Sequence, residues 1–131
     1  MAPEGAPYAK AWLAKAAGDL YVARSLLADP DAPRWSVGFH LQQAAEKALK
    51  ALFTLRAEVP PRTHHLDELC EILSAAQPEI AGWADRLLPL EVFSVSERYP
   101  AETAEADVDW TAALRSVEKL LDLVRAKTGT D

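Results

Sequence analysis

The segment from Phe39 to Leu55 constrains the fold of this chain more than any other, because its apolar residues follow the period of an α-helix. They recur at alternating steps of four and three residues, as Leu41, Ala45, Ala48, Leu52 and Leu55. This spacing places them in one stripe that has to be buried. The remaining positions are mostly polar and form the opposite face, with Gln42, Gln43, Glu46, Lys47 and Lys50. Alanines within the segment let a neighbouring helix approach closely, so the pattern predicts the central helix of a bundle.

The length and composition of the chain fit one small helical domain. Its 131 residues can bury a single core without disulfides, and the one cysteine, Cys70, falls on a helical apolar stripe where we expect it to be a buried hydrophobe. Glycines are few and alanines are abundant, which favours helix over sheet. We predict an all-α domain over residues 1–131, with residues 1–8 and 128–131 frayed. No segment resembles a signal peptide or a membrane span, so we expect a cytoplasmic protein that does not enter a membrane.

Prolines divide the chain into four to five helices. Proline pairs stand in the segments 29–33 and 60–61, and single prolines at 78, 89 and 100 mark further breaks. The predicted helices run from Ala9 to Ala28, from Arg34 to Arg56, from a Thr63 cap to Ala76, from Pro78 to Leu88, and from a start between Thr103 and Asp109 to Lys127. Short connections imply antiparallel neighbours. Gly38, near the start of the second helix, indicates a close backbone contact.

Charge is distributed unevenly, and this indicates where an anion would bind. The net charge of −6 argues against broad binding to nucleic acid. Residues 40–65 nevertheless contain four basic and two acidic residues, a balance of +2, together with all three histidines. Free amides at the start of the third helix attract anions. We therefore predict a nucleotide or phosphate site formed by Lys47, Lys50, Arg62, His64 and His65, with a solvated helix face as the alternative.

Two further groups of residues have the composition of a binding site. Arg98 and Tyr99 together can bind a phosphate and stack a base, although the same pair can instead lock a loop against the bundle. His64 and His65 are adjacent in sequence, and neighbouring residues rarely present two ligands to one ion. We therefore expect no metal and no cofactor, and we add Arg98 and Tyr99 to the candidate ligand site.

Three motifs resemble the HEPN domain, the higher eukaryotes and prokaryotes nucleotide-binding family. They are the run Phe39-His40-Leu41-Gln42-Gln43-Ala44-Ala45-Glu46-Lys47-Ala48-Leu49-Lys50-Ala51-Leu52, the run Arg62-Thr63-His64-His65-Leu66, and Arg98-Tyr99-Pro100. Asp19-Leu20 with Ala23 also resembles the first helix of that family. The resemblance implies an up-and-down helical bundle that forms a homodimer. It also implies a nucleotidyltransferase partner, in a two-component module of the toxin–antitoxin kind.

The same resemblance raises the alternative of a ribonuclease. Catalytic HEPN proteins are metal-independent ribonucleases that carry an arginine followed, after four to six residues, by a histidine. No histidine follows Arg98, so the late position of that motif lacks its general base. Arg34 and His40 form a literal match, but six residues turn a helix by about 240° and the two side chains would diverge. We therefore expect a non-catalytic module that binds a nucleotide or RNA, with a ribonuclease toxin as the alternative.

Overall fold

The computed structural model describes residues 5–94 and 108–129, and within these ranges the chain is all-α, as predicted. The helices are α1 (Ala6–Leu27), α2 (Arg34–Leu55), α3 (Leu66–Ser74), α4 (Trp83–Leu87) and α5 (Trp110–Thr128), with 3-10 helices at Pro78–Ile80 and Leu88–Phe93. The described residues contain no β-strand. Helix α1 begins three residues before the predicted start, so residues 6–8 are helical rather than frayed. Thr128 likewise belongs to α5.

Helices α1 and α2 form an antiparallel pair, as the short connection between them predicts. Their contact is the most extensive among the described elements, and both helices also pack on α5. The direction follows from the side chains that meet. Trp12 lies near Lys50, and Asp19 bonds to Lys47 and His40. As the residue number rises along α1 it falls along α2, which makes α2 the central helix of the bundle.

The start of α3 differs from the prediction. Thr63 is not the residue that caps the helix, because α3 begins at Leu66 and His65 occupies the cap position without a capping side-chain bond. The Thr63 hydroxyl instead accepts a hydrogen bond from the amide of His65, at 3.1 Å. Glu91 supplies the capping oxygen from outside the helix, since its Oε1 lies 3.1 Å from the amide nitrogen of Asp67 in the first turn of α3. Pro60 and Pro61 keep the preceding loop non-helical.

The predicted fourth helix is divided into three short pieces. A 3-10 turn at Pro78–Ile80 precedes α4, and a second 3-10 helix, Leu88–Phe93, follows it. In a continuous helix Leu88 would follow Leu87 on the apolar face, but 61% of its surface is exposed. Pro89 accounts for the change of helix type, because proline has no amide hydrogen to continue an α-helix. The segment after Ser94, from Val95 through Tyr99, lies outside the described residues.

A close approach at Gly38 holds this irregular region against α2. A Cβ atom built on Gly38 would lie 2.6 Å from ring carbons of Phe93, closer than carbon atoms pack. Phe93 is fully buried, and its ring also contacts Trp110 at the start of α5, with 5.7 Å between centroids. The backbone contact predicted from Gly38 is therefore confirmed. Asp109 caps α5 by accepting a bond from the amide of Ala112.

Burial around α2 departs from the predicted two-faced helix. The predicted stripe is buried except for the partly exposed Leu55, but Gln42, Glu46 and Lys50 are buried as well, with 0%, 5% and 7% of their surfaces exposed. The alternative of a solvated helix face is therefore wrong for Lys50. Burial of the three polar residues is possible because each finds a polar partner, as described below. None of the helices in the described ranges combines the length and apolar character needed to cross a membrane.

Candidate functional site

Only four side chains of α2 reach solvent between Val37 and Phe53. They are Phe39, His40, Gln43 and Lys47, and every other residue in this interval is buried. Phe39, Gln43 and Lys47 follow one another at steps of four, while His40 and Lys47 are separated by seven, so the four residues share one face. We call this face the α2 window. It presents an aromatic ring, an imidazole, an amide and an ammonium group within about 12 Å along the helix axis.

Asp19 of α1 orients the two basic groups of the α2 window. Its Oδ1 lies 2.9 Å from Nδ1 of His40, and its Oδ2 lies 2.5 Å from Nζ of Lys47. The Asp19 side chain is 13% exposed, whereas His40 and Lys47 are 28% and 24% exposed. The carboxylate is therefore mostly covered, and the basic groups above it face outward. Because Nδ1 of His40 is engaged, Nε2 is the ring nitrogen available to a ligand.

A second carboxylate, Glu46, organises the buried side of the same helix. Its Oε2 lies 3.0 Å from Nζ of Lys50 and 3.0 Å from Nδ1 of His64. Lys50 also lies 6.0 Å from the centre of the Trp12 ring. Each of the two carboxylates, Asp19 and Glu46, thus binds one lysine and one histidine. The Glu46 network ties the loop before α3 to α2, and Lys50 is engaged within it.

The protein environment favours the ionised form of Glu46. Burial alone would raise the pKa of this carboxyl group, but the bond with His64, the bond and charge of Lys50 and the bond from Gln42 act in the opposite direction and prevail. The pKa of Glu46 is therefore held below its ordinary value. A buried ammonium beside an ionised carboxylate forms a charge-balanced pair, which is the usual condition for burying either group.

Hydrogen bonds fix the orientation of the two glutamine amides. Nε2 of Gln42 donates to the carbonyl oxygen of His64 at 3.0 Å and to the Glu46 carboxylate at 3.2 Å. Both partners only accept, so the oxygen of Gln42 must point the other way. It accepts from Nε2 of Gln43 at 2.8 Å. The Oε1 atom of Gln43 is therefore left as an outward-facing acceptor in the α2 window.

The other residues predicted for the ligand site are more dispersed. Arg62 is exposed and makes no ion pair with any residue in the described part of the chain. His65 turns away from His64 and lies 3.6 Å from Glu91. Arg98 and Tyr99 lie outside the described residues. Of the seven predicted residues, the structure joins Lys50 and His64 through Glu46, and it places Lys47 with His40 and Asp19.

One group of side chains has the composition of a metal site. His65, Asp67 and Glu91 offer ligand atoms that all lie within 4.8 Å of one another. Glu91 already accepts the Asp67 amide at the start of α3, and the positive end of that helix disfavours a cation. Burial is the main cause that raises the pKa of Glu91, with the neighbouring Asp67 charge adding to it. These observations give the group a role in capping the start of α3 rather than in holding an ion.

Arg34 and His40, the literal arginine–histidine match, do not converge. The Arg34 guanidinium lies 3.4 Å and 3.5 Å from the carbonyl oxygens of Leu26 and Leu27, at the carboxyl end of α1. There it adds a polar contact to carbonyl groups of the last turn, of which that of Leu26 also accepts the amide of Asp29. His40 instead bonds to Asp19, about two turns earlier in α1. This arrangement does not bring a base and an arginine to one phosphate.

Cys70 has the buried, inert character predicted for it. Its surface is 1% exposed within α3. Burial raises the pKa of the thiol to about 12, and the negative charges of Glu91 and Asp67 act in the same direction. A thiol in this state has almost no nucleophilic thiolate near neutral pH.

Several members of the site are not evident from the sequence. The sequence indicates Asp19 only as part of a family-like helix and His40 only as a catalytic alternative. It assigns neither Phe39 nor Gln43 to a site. The spacing of seven between His40 and Lys47 places both on one helix face and could have indicated a shared partner. That the partner would be Asp19, 21 and 28 residues away, requires the packing of α1 on α2.

Comparison with known proteins agrees with this architecture. The family model described as the HEPN domain matches residues 9–127, which include α1 to α5 almost entirely. No curated protein and no solved structure gives a significant match. The matched region contains all three motifs that indicated the resemblance, together with Asp19. This chain belongs to the HEPN domain family.

Proposed function

We propose that this protein is a non-catalytic binding module whose α2 window takes the phosphate of a nucleotide. The observation that supports this best is the selective exposure on α2. In a helix otherwise buried from Val37 to Phe53, the residues left to solvent include two basic groups held by one carboxylate. Membership of a nucleotide-binding family is consistent with that use.

The bonding capacity of the α2 window suits an anion. The ammonium of Lys47 has three hydrogens, of which Asp19 takes one, so two remain for phosphate oxygens. When the His40 ring carries both protons, its Nε2–H adds a third donor. The charges of Asp19 and Lys47 cancel each other. The phosphate would therefore be recognised by hydrogen bonds more than by the net positive charge of the site. Such charge-assisted bonds are the stronger kind.

Calorimetry provides the direct test of phosphate binding. ADP is titrated into the wild type and into Lys47→Ala, with Lys119→Ala as a matched control, because Lys119 is an exposed lysine of α5 and its loss changes the net charge equally. We expect saturable heat with the wild type and with Lys119→Ala, and at least tenfold weaker binding to Lys47→Ala. Absence of heat with the wild type would reject the proposal, as would equal weakening in both variants.

The ribonuclease alternative receives less support from the geometry. The Arg34 guanidinium contacts the end of α1. His40 lies in the α2 window, bonded to Asp19, and no arginine among the described residues is bonded beside it. Incubation of purified protein with RNA in the presence of a chelator separates the two classes. We expect intact RNA, whereas cleavage that is lost in His40→Gln would establish a metal-independent nuclease.

We also propose that the protein forms a homodimer and acts with a nucleotidyltransferase, as a two-component module. An exposed apolar surface supports a protein contact: Val59 lies between two adjoining grooves, of which one includes Tyr8 and the other Ile72. These side chains are 91%, 69% and 50% exposed, respectively, which is typical of contact surfaces when such residues are contiguous.

Sedimentation and co-purification test these two assembly proposals separately. We expect a species of about twice 14.3 kDa for the wild type and a monomer for Val59→Asp, with Val92→Asp as the control at another exposed apolar residue. A wild type that sediments only as 14.3 kDa at micromolar concentration contradicts the dimer. A nucleotidyltransferase encoded beside this chain, co-expressed with it, is expected to be retained on the tagged protein.

A further inference from the structure

The aromatic end of the α2 window has no role in phosphate binding. Phe39 stacks on Trp35, one helical turn earlier, with 5.3 Å between ring centroids and 12° between ring planes. The edge contact between Phe39 and His40 has the same centroid distance and an interplanar angle of 82°. Both aromatic rings of the stack are partly exposed. Large aromatic side chains on a polar face are unusual unless something packs on them.

The stack continues the line of the polar groups. Trp35, Phe39, Gln43 and Lys47 follow one another at intervals of four, and each is partly exposed. Residues four apart on an α-helix differ in direction by only about 40° around the helix axis, so these four side chains form one slightly inclined row. Along this row an aromatic surface is followed by the outward-facing amide oxygen of Gln43 and then by the ammonium of Lys47.

From this row we infer that Phe39 and Trp35 form a base-stacking subsite, so that the ligand of the α2 window is a nucleotide rather than a free phosphate. The inference rests on the proposed function, because the phosphate of the same ligand would lie at Lys47 and His40. A parallel ring pair has two outer faces, and a base can continue the stack on the outer face of Phe39, which is partly exposed. The Gln43 oxygen between the two ends can accept a hydrogen bond from a base amino group or a ribose hydroxyl.

Stacking explains why the subsite would serve several bases. Every base has a π-face, so an aromatic platform binds bases with little dependence on sequence. One acceptor oxygen at Gln43 adds only a modest preference for ligands that donate there. The subsite therefore predicts a general requirement for a base and weak discrimination among bases.

AMP and ribose 5-phosphate separate base recognition from phosphate recognition. Both are titrated by calorimetry into the wild type, Phe39→Leu and Phe39→Tyr, with thermal unfolding used to verify that the variants are folded. We expect AMP to bind the wild type about tenfold or more tightly than ribose 5-phosphate. Phe39→Leu should reduce this preference to less than threefold, and Phe39→Tyr should retain it because it keeps the ring.

The outcomes distinguish this inference from the proposed function. Equal binding of AMP and ribose 5-phosphate to the wild type overturns the base subsite and leaves phosphate binding intact. A preference for AMP that survives in Phe39→Leu also overturns it, since the base would then be recognised elsewhere. Failure of both ligands to bind rejects the proposed function itself. If Phe39→Leu abolishes dimerisation without changing the preference for AMP, the aromatic pair is a subunit contact and the inference is wrong.

Discussion

The carboxylate of Glu46 lies 3.0 Å from Nδ1 of His64, which joins the middle of α2 to the loop that precedes α3. The same oxygen lies 3.0 Å from Nζ of Lys50, whose side chain is 9% exposed. A buried lysine and a loop histidine therefore depend on one acid. This dependence makes Glu46 a structural residue beneath the α2 window. Its loss should lower the stability of the whole domain.

Substitution of Glu46 by alanine is expected to lower the free energy of unfolding by about 3–5 kcal/mol, because it leaves the buried ammonium of Lys50 without its partner. Urea unfolding followed by circular dichroism measures this change. Glu118→Ala is the control, since it breaks the more exposed Arg24–Glu118 pair, and there we expect about 0–1 kcal/mol. Similar losses in the two variants would contradict the buried role of Glu46.

Lowering the pH should reduce the contribution of Glu46 to the free energy of unfolding. The pKa of this carboxyl is lower in the folded protein than its ordinary value of 4.5, so the unfolded chain binds the proton more readily. The stabilisation is then fully present above that ordinary value and is lost as the pH falls from about 4.5 through the folded pKa. Urea unfolding of wild type and Glu46→Gln between about pH 3 and pH 7 should show their difference shrinking towards acid.

Glu91 supplies an internal contrast for the same pH series. Its pKa is raised in the folded protein, chiefly by burial, so the folded state holds this proton to higher pH than the unfolded state does. The Glu91 contribution therefore decreases as the pH rises above its ordinary value of 4.5. Glu91→Gln keeps an acceptor for the Asp67 amide and should gain stability relative to wild type over that rise. Parallel curves for the two carboxyl variants would contradict at least one of the two assignments.

Replacement of Gly38 by alanine should destabilise the protein by about 1–3 kcal/mol, because its new methyl group would press on the buried Phe93 ring. Gly18→Ala is the matched control in α1, where a Cβ would meet nothing within 4 Å. There we expect a gain of about 0.5–1 kcal/mol from helix propensity. If the contact is as described, thermal and urea unfolding should show changes in stability of opposite sign for the two variants. A Gly38→Ala protein more stable than the wild type would refute the contact.

Local sequence patterns were sufficient for the helices that are long and regularly periodic. The stripe from Leu41 to Leu55 correctly identified the central helix, and prolines gave the end of α1 and both ends of α2 to within one residue. The region after Pro78 was predicted less well. Its apolar spacing suits one helix, but Pro89 and the packing of Phe93 against Gly38 divide it into shorter pieces. Such tertiary contacts override a short periodic pattern.

The site was harder to predict because its geometry depends on residues far apart in sequence. A glutamate four residues before a lysine, as in Glu46 and Lys50, has the same spacing on a solvated face as in a buried network. What distinguishes them is the presence of His64 and Trp12 on neighbouring segments. The sequence indicates which basic residues lie on α2, but packing decides which of them face solvent.

Histidine side-chain NMR during a titration with ADP tests the central claim most directly. The three imidazoles give separate ring signals, assigned with single His→Gln variants, and His65 serves as the control because it lies beside Glu91 rather than in the α2 window. We predict that the His40 ring signals shift with saturation as ADP is added, while those of His65 remain in place. Unchanged His40 signals at ADP concentrations that saturate the protein by calorimetry would contradict nucleotide binding at the α2 window.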